Sequence, residues 1–164
     1  MHVLRVDERL VETAEARSTA ERQMAVSAEQ LFATLEDGPS YSKWVPVIRE
    51  VTWTSPMPFT IGTTRTVMLV GGIRTDEAFW AWEPNRRMGF SITASSRRWV
   101  NALSELYEIT PLSSERCKLR WTMAMSLPGV LSRIDPYIGR AISIGQARML
   151  KALERVAREH SSRA

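Results

Sequence analysis

Residues 118–156 decide the fold of this chain and read KLRWTMAMSLPGVLSRIDPYIGRAISIGQARMLKALERV. Polar and apolar residues alternate from 118 to 127, and this pattern predicts a strand with one wet and one buried face. The residues on the buried side are Leu119, Trp121, Met123 and Met125. After Pro128 the apolar residues instead recur every three or four positions, which is typical of a helix.

The predicted C-terminal helix begins at Asp135 and Pro136, an N-cap followed by proline at the first helical position, and runs beyond Arg155. Its apolar stripe consists of Ile138, Ile142, Gly145, Met149, Leu153 and Val156. An amphipathic helix of this length must lie on an apolar surface. The only large one that the sequence offers is the inner face of a sheet.

The rest of the chain predicts a strand, two short helices and then further strands. The first strand is expected at 16–24, and Ser27 then caps a helix in a capping box with Gln30. A second short helix or turn contains Tyr41 and Trp44. Later strands are expected at 47–53, 63–70, 74–82, 86–94 and 99–110, with a hairpin at Gly71-Gly72. The expected fold class is α+β. A curved antiparallel sheet wraps around the long C-terminal helix, in one domain over residues 16–160 after a weakly patterned extension, 1–15.

Composition excludes several classes of protein. Hydrophobic residues make up 44% of the 164 residues, which is enough for a core. The only histidines, His2 and His160, lie at the two ends, so mechanisms that need a buried histidine are disfavoured. One cysteine, Cys117, allows no disulfide within the chain. Gly71-Gly72 lacks the residues of a phosphate loop and no metal-ligand cluster appears, so no cofactor or metal is expected.

The charge pattern and the hydropathy limit the classes of partner that are expected. The net charge of +4 raises the question of nucleic acid, but the pairs Arg86-Arg87 and Arg97-Arg98 fall at opposite ends of one predicted strand. No nucleic-acid partner is therefore expected. The sequence has neither an apolar run of about 18 residues nor a secretory signal, so we expect a cytoplasmic protein without an integral membrane segment.

The order of elements resembles the START-like helix-grip superfamily (SRPBCC), and within it the polyketide cyclase/dehydrase and lipid-transport group. The resemblance runs from about residue 16 to 158. Its local anchors are AVSAEQLF at 25–32, YSKWVPV at 41–47 and WEPNRR at 82–87, and Val26 stands where the group often has proline. The resemblance implies a cavity between sheet and helix that takes a small hydrophobic ligand.

The expected cavity lining follows from the predicted inner face. It comprises Met88, Phe90, Ile92, Leu103, Trp121, Met123 and Met125, facing Ile138, Ile142 and Met149. Trp80 and Trp82 join it only if their side of the strand points inward, since Phe79 and Ala81 on the other side are also apolar. For each of these residues the alternative is ordinary core packing, although a wall rich in methionine suits variable apolar ligands.

Polar residues on the same face are the candidates for specificity and chemistry. Asn101, Glu105 and Tyr107 share a face with Leu103. Desolvation would raise the pKa of Glu105 and suit it to acid–base work, with Tyr107 as hydrogen-bond partner. The alternatives are a buried ion pair of Glu105 with an arginine, or an exposed position. Arg65 either enters the cavity and anchors a carboxylate or points outward.

Two functions of different classes follow from the sequence. The first is binding or carriage of a small hydrophobic ligand, lipid-like or resembling an aromatic polyketide. The second is a polyketide cyclase or dehydratase that uses Glu105 and Tyr107. A third hypothesis is a module that binds a partner through the surface of the helix. Because the interior lacks histidine and a dedicated catalytic cluster, binding is favoured over catalysis.

Overall fold

The computed structural model describes residues 1–4, 6, 9–14, 16–129 and 135–161, and the side chains of these residues except 135–141 and 161. The strands are β1 (His2–Val3), β2 (Ala16–Met24), β3 (Ile48–Trp53), β4 (Thr64–Leu69), β5 (Ile73–Glu83), β6 (Arg87–Ser95), β7 (Ala102–Ser113) and β8 (Arg116–Ser126). The helices are α1 (Leu10–Thr13), α2 (Ala28–Glu36), α3 (Tyr41–Trp44) and α4 (Asp135–Ser161), with a 3-10 turn at Gly38–Ser40.

The eight strands form one antiparallel sheet in the order β2-β8-β7-β6-β5-β4-β3, and β1 pairs with β6. Register shifts interrupt β5 between Asp76 and Glu77 and again between Phe79 and Ala81. Such bulges bend a strand and increase its twist, which helps the sheet to curve. Helix α4 packs against β2 and β8 and against α2 and α3. The predicted helix-grip architecture is confirmed.

Two polar side chains of α4 attach the helix to the sheet. Gln146 is fully buried and accepts a hydrogen bond from Ser18 Oγ at 2.6 Å, while its Nε2 donates to the Trp121 carbonyl oxygen at 3.3 Å. Further along the helix, Glu154 accepts a hydrogen bond from Arg22 Nε at 2.8 Å. The helix therefore has a defined position over β2 and β8. The cap predicted at Asp135 lies outside the described side chains.

Local sequence signals produced the expected turns. Ser27 Oγ accepts from the Gln30 backbone N–H at 3.1 Å, and Gln30 Oε1 accepts from the Ser27 N–H at 2.9 Å, so the predicted capping box at the start of α2 is present. Gly71 and Gly72 both have positive φ values, 81° and 72°. Two residues in this region of φ form a hairpin turn whose twist matches that of the flanking strands.

The N-terminal segment adds elements that weak patterning did not predict in detail. His2 pairs with Ser95 of β6, and the short helix α1 lies on the outer face of the sheet. Leu10 and Val11 of α1 are buried there in a small cluster with Leu106 and its neighbours. A single helical turn with two apolar residues has too few positions to show a period in the sequence.

The apolar interior is divided between two clusters on the inner side of the sheet. The larger lies against α2, α3 and the C-terminal half of α4, and includes Trp44, Trp121 and Leu153. The smaller includes Ile92 and Leu103, with Ile142 packed against it. Met123 contacts both clusters.

Candidate ligand-binding site

A cavity of about 590 Å³ lies between the inner face of the sheet and α4. Its walls come from β4 to β8, from the segment around α3 and from α4. Three of the lining residues, Pro46, Val47 and Arg148, are exposed, so the cavity reaches the surface between the segment before β3 and the helix. Its volume falls within the range of roughly 300–1,000 Å³ that is common for small-molecule sites.

Most of the cavity wall is apolar. The residues named from the sequence that line it are Arg65, Phe90, Ile92, Leu103, Glu105, Tyr107, Trp121, Met123, Met125, Ile142 and Met149. Aromatic rings form a row across three strands of this wall. The rings of Tyr107 and Trp121 stack with centroids 5.4 Å apart, and Phe90 lies 6.4 Å from Tyr107. The wall is therefore rigid on the aromatic side and adaptable where methionines lie.

A buried ion pair interrupts this apolar wall. Arg65 of β4 is only 1% exposed, and its Nε donates to Glu77 Oε2 at 2.6 Å across the β4–β5 pair. Its guanidinium group also lies 4.5 Å from the ring centre of Tyr41 and 4.6 Å from that of Phe90. Of the two orientations left open by the sequence, Arg65 adopts the inward one. Its Nη1 is buried and has no hydrogen-bond partner among the described residues.

The interaction between Arg65 and Glu77 opposes the effect of burial on the pKa of each residue. Burial lowers the pKa of Arg65, but the charge of Glu77, the nearby Tyr41 and the hydrogen bonds to both together outweigh it and hold the pKa above its ordinary value, so the guanidinium stays charged. Burial raises the pKa of Glu77, and the neighbouring Arg65 opposes that rise. A charge in such surroundings is tolerated because it is paired and hydrogen-bonded.

Glu105 of β7 is the second acidic group of the cavity. Its Oε2 accepts hydrogen bonds from Tyr107 Oη at 2.7 Å and from Trp121 Nε1 at 2.9 Å. Burial, to which the nearby charge of Glu77 adds, raises the pKa of Glu105 to about 7 against the lowering effect of the Tyr107 hydroxyl and of Trp121. Neither alternative weighed from the sequence applies, because Arg65 pairs with Glu77 and Glu105 lines the cavity.

This arrangement defines the protonation states available near pH 7. Glu105 is divided between its acid and its carboxylate, so it can either donate or accept a proton there. Burial and the adjacent Glu105 raise the pKa of Tyr107 well above its ordinary value, so its hydroxyl stays protonated as a donor. A ligand oxygen in the cavity would thus meet a permanent cation, Arg65, and a titratable acid.

Four residues expected in the cavity lie elsewhere. Met88 is fully buried in the larger core cluster. Trp82 is 8% exposed and packs its ring on Phe32 with centroids 5.8 Å apart. Trp80 lies on the outer face of the sheet against Gly89. Asn101 is exposed and donates from Nδ2 to the Leu127 carbonyl oxygen, because it precedes the first residue of β7.

The bulge in β5 explains the placement of its tryptophans. The register shift between Phe79 and Ala81 breaks the strict alternation, so Phe79 and Trp82 both join the inner core while Trp80 points outward. A choice between two alternating faces could not describe this strand. The side chain of Ile138, the remaining predicted lining residue, lies outside the described ones.

Several lining residues were not found from the sequence. Glu77 is the most important of them. The feature that could have identified it is a charged residue on the same side of the strand as Phe79, and in the sheet it lies opposite Arg65 of the neighbouring strand. The segment between α3 and β3, from Val45 to Val47, and Trp99 before β7 also line the cavity. These are loop residues, and no periodic pattern places them.

Comparison with known proteins agrees with this architecture. The family described as polyketide cyclase/dehydrase and lipid transport matches residues 15–158, and the chain belongs to this family. Uncharacterized proteins of Mycobacterium tuberculosis and Mycobacterium bovis are 46% identical to it over 106 residues, which make up 65% of this chain. The matched stretch spans 63% of the length of these relatives.

Solved structures share the fold at low sequence identity. A START superfamily protein from Mycobacterium smegmatis superposes with a TM-score of 0.70 at 15% identity, over 87% of this chain and 97% of its own. The Zhui aromatase/cyclase from Streptomyces sp. R1128 has a TM-score of 0.70 at 14% identity, over 88% and 94%. Among the described helices, none is long and apolar enough to cross a membrane.

Proposed function

We propose that the chain binds a small hydrophobic ligand in the cavity and holds an oxygen of that ligand against Arg65 and Glu105. The observation that carries the proposal is the composition of the cavity. Nearly all of its wall is apolar, and the exceptions include a buried cation and a titratable carboxyl. Ligand pockets commonly combine a large apolar lining with a few polar groups that fix orientation.

The apolar lining favours a ligand whose body is hydrocarbon or aromatic. Ile92, Leu103, Met123 and Met149 approach the cavity from β6, β7, β8 and α4. Removing such surface from water on both partners contributes roughly 25 cal/mol for each Å² buried. A lipid-like chain or a polyketide-like aromatic body fits this description.

The polar wall favours a ligand that carries a hydrogen-bond acceptor. Arg65 Nη1 is a buried donor without a partner among the described residues, and leaving such a donor unpaired costs about 1–3 kcal/mol. A carbonyl or carboxylate oxygen of a ligand would satisfy it. The hydrogen bonds from Tyr107 and Trp121 to Glu105 both end on Oε2, so neither of them occupies Oε1. A hydroxyl group beside the acceptor would therefore find its own partner there.

The test is to fill the cavity and measure binding of a fluorescent fatty acid and of a fluorescent aromatic probe. Met123→Trp adds bulk to the wall and should weaken saturable binding by about tenfold or more. Met68→Trp is the matched control, since Met68 belongs to β4 but is not among the residues that line the cavity. Equal binding by both variants would contradict the proposal, as would wild-type protein that binds neither probe.

A second candidate function is acid–base catalysis on the bound ligand, as in a polyketide cyclase or dehydratase. The specific observation in its favour is Glu105, whose pKa of about 7 matches the requirements of a proton donor or acceptor near neutral pH. Tyr107 would hold the carboxyl in position through its 2.7 Å hydrogen bond.

Native mass spectrometry of the purified protein separates the two candidates. If Glu105 transfers protons, Glu105→Gln should retain a substrate, and wild-type protein should carry either no ligand or a product that differs, for a dehydratase, by one water. If the protein is a carrier, both should hold a ligand of the same mass. The second result would remove a dehydratase and leave the binding proposal intact, and a cyclase, whose product has the mass of its substrate, would be removed if the ligands released from both proteins also had the same chromatographic retention.

A further inference from the structure

The outer face of the sheet, which the proposed function does not use, carries a polar trough of about 430 Å³. We call it the outer trough, and its charged and aromatic walls are Glu12, Arg17, Trp80, Arg87, Glu108 and Arg120. With Arg9, the lining holds four arginines and two glutamates, a formal excess of two positive charges. The N-terminal segment closes one side, because Arg17 Nη1 donates to the Glu12 carbonyl oxygen at 3.0 Å.

The arginines of the central strands have hydrogen-bonding capacity to spare. Arg87, Glu108 and Arg120 lie side by side across β6, β7 and β8. Arg120 Nε is 3.9 Å from Glu108 Oε2, and Arg87 Nη1 is 3.6 Å from Glu83 Oε1. Charge-assisted hydrogen bonds are usually about 2.7–2.9 Å long, so these ion pairs leave the guanidinium groups largely available.

Trp80 provides an apolar wall beside these charges. Its ring lies so close to Gly89 that a Cβ on the glycine would stand 2.8 Å from Cη2. The Arg87 guanidinium lies 5.8 Å from the centre of the ring. Trp80 Nε1 and Arg87 Nε are both buried and have no hydrogen-bond partner among the described residues. Two donors of this kind next to a cationic trough favour the binding of an acceptor there.

We propose that the outer trough binds a small organic anion through Arg87 and Arg120, with Trp80 as an apolar side wall. The shared chemistry is an oxyanion, carboxylate or phosphate, because the planar guanidinium fork binds both with two parallel hydrogen bonds. The volume accommodates more than a single inorganic ion. Glu21, 3.6 Å from Arg120, and Glu83 flank the arginines, so an extended polyanion such as nucleic acid would meet negative charge on both sides.

Isothermal titration at low ionic strength tests the proposal with phenyl phosphate and citrate, one organic probe for each oxyanion. Wild-type protein should bind at least one of them saturably with 1:1 stoichiometry. Arg87→Gln and Arg120→Gln should each weaken that binding by about tenfold, the usual effect of losing a charge-assisted hydrogen bond. Glu108→Gln should strengthen it, because the variant removes a competing carboxylate. The probe that binds identifies the class of oxyanion.

Matched controls on α4 separate a site from general attraction between charges. Arg155 and Glu159 are exposed partners 3.8 Å apart, on a helix that packs against the other face of the sheet. Arg155→Gln and Glu159→Gln make the same changes in net charge and should leave anion binding unchanged. Met123→Trp should also leave anion binding unchanged, so failure of ligand binding in the inner cavity would not affect this test. Wild-type protein that binds neither anion, or an effect of Arg155→Gln equal to that of Arg120→Gln, would overturn the proposal. Thermal unfolding of each variant establishes that it is folded.

Discussion

Glu105→Gln should make the protein more stable above neutral pH and should do little at acid pH. Burial raises the pKa of this carboxyl from its ordinary value of 4.5 to about 7 in the folded protein. Between these two values the folded state keeps a proton that the unfolded chain has released. The free energy of unfolding therefore falls as the pH rises through this interval. The contribution of the group is complete below about pH 4.5 and is lost above about pH 7.

The size of the effect follows from the shift. One pKa unit corresponds to about 1.4 kcal/mol, so the upper limit is about 3 kcal/mol. The adjoining cavity gives the carboxyl some contact with solvent, and we expect about 1–3 kcal/mol. Glutamine has the same shape, and its oxygen can still accept from Tyr107 Oη and Trp121 Nε1. The variant thus removes the buried charge and retains the hydrogen bonds.

Urea unfolding at pH 5 and pH 8.5 measures this difference. The gain in stability of Glu105→Gln over wild type should be near zero at pH 5 and about 1–3 kcal/mol at pH 8.5. Glu77 contributes its own pH dependence to both proteins, and the subtraction removes the part that does not depend on Glu105. Glu115→Gln, in the exposed turn between β7 and β8, controls for the loss of one carboxyl. A difference that does not change between the two pH values would refute the reasoning, and the catalytic candidate would lose its titratable group.

Two further substitutions test how the elements around the two sites are held. Gln146→Ala removes the donor to the Trp121 carbonyl oxygen. The free energy of unfolding, measured in urea, should fall by about 1–3 kcal/mol. A change below about 0.5 kcal/mol would mean that the helix does not depend on this contact. Gly89→Ala places a methyl group 2.8 Å from the Trp80 ring. It should lower the free energy of unfolding by about 1–3 kcal/mol in the same assay and shift the tryptophan fluorescence. Unchanged stability together with unchanged fluorescence would contradict the packing described.

The sequence predicted strands well where only one face was apolar. Residues 16–24 alternate in this way, and β2 has the predicted bounds, Ala16–Met24. The predicted strand at 74–82 contains Phe79, Trp80, Ala81 and Trp82 in succession, so both of its faces looked buried. A bulge decides the outcome, and bulges depend on pairing with the neighbouring strand. No pattern within one strand contains that information.

The same limit applies to the candidate site. Alternation along β7 indicated that Glu105 and Tyr107 share a face with Leu103, and all three line the cavity. Glu77 was missed because its importance lies in its position directly opposite Arg65. That position follows from the register between β4 and β5, which tertiary packing sets. Alternation along the sequence therefore identifies which residues of one strand share a face, and the register between strands identifies their partners on the neighbouring strand.

Alternation also explains how one sheet can carry two chemically opposite sites. On β7, Glu105 lines the apolar cavity and Glu108 the outer trough, and on β8 Trp121 lines the cavity and Arg120 the trough. A slip of one residue in strand register would exchange the faces, so the hydrophobic pattern that holds the core in place also holds both sites in place. The backbone of the sheet separates them. A substitution confined to one face should therefore change its own site and leave the other unaltered, which is why Met123→Trp and Arg120→Gln can be tested in the same protein as independent perturbations.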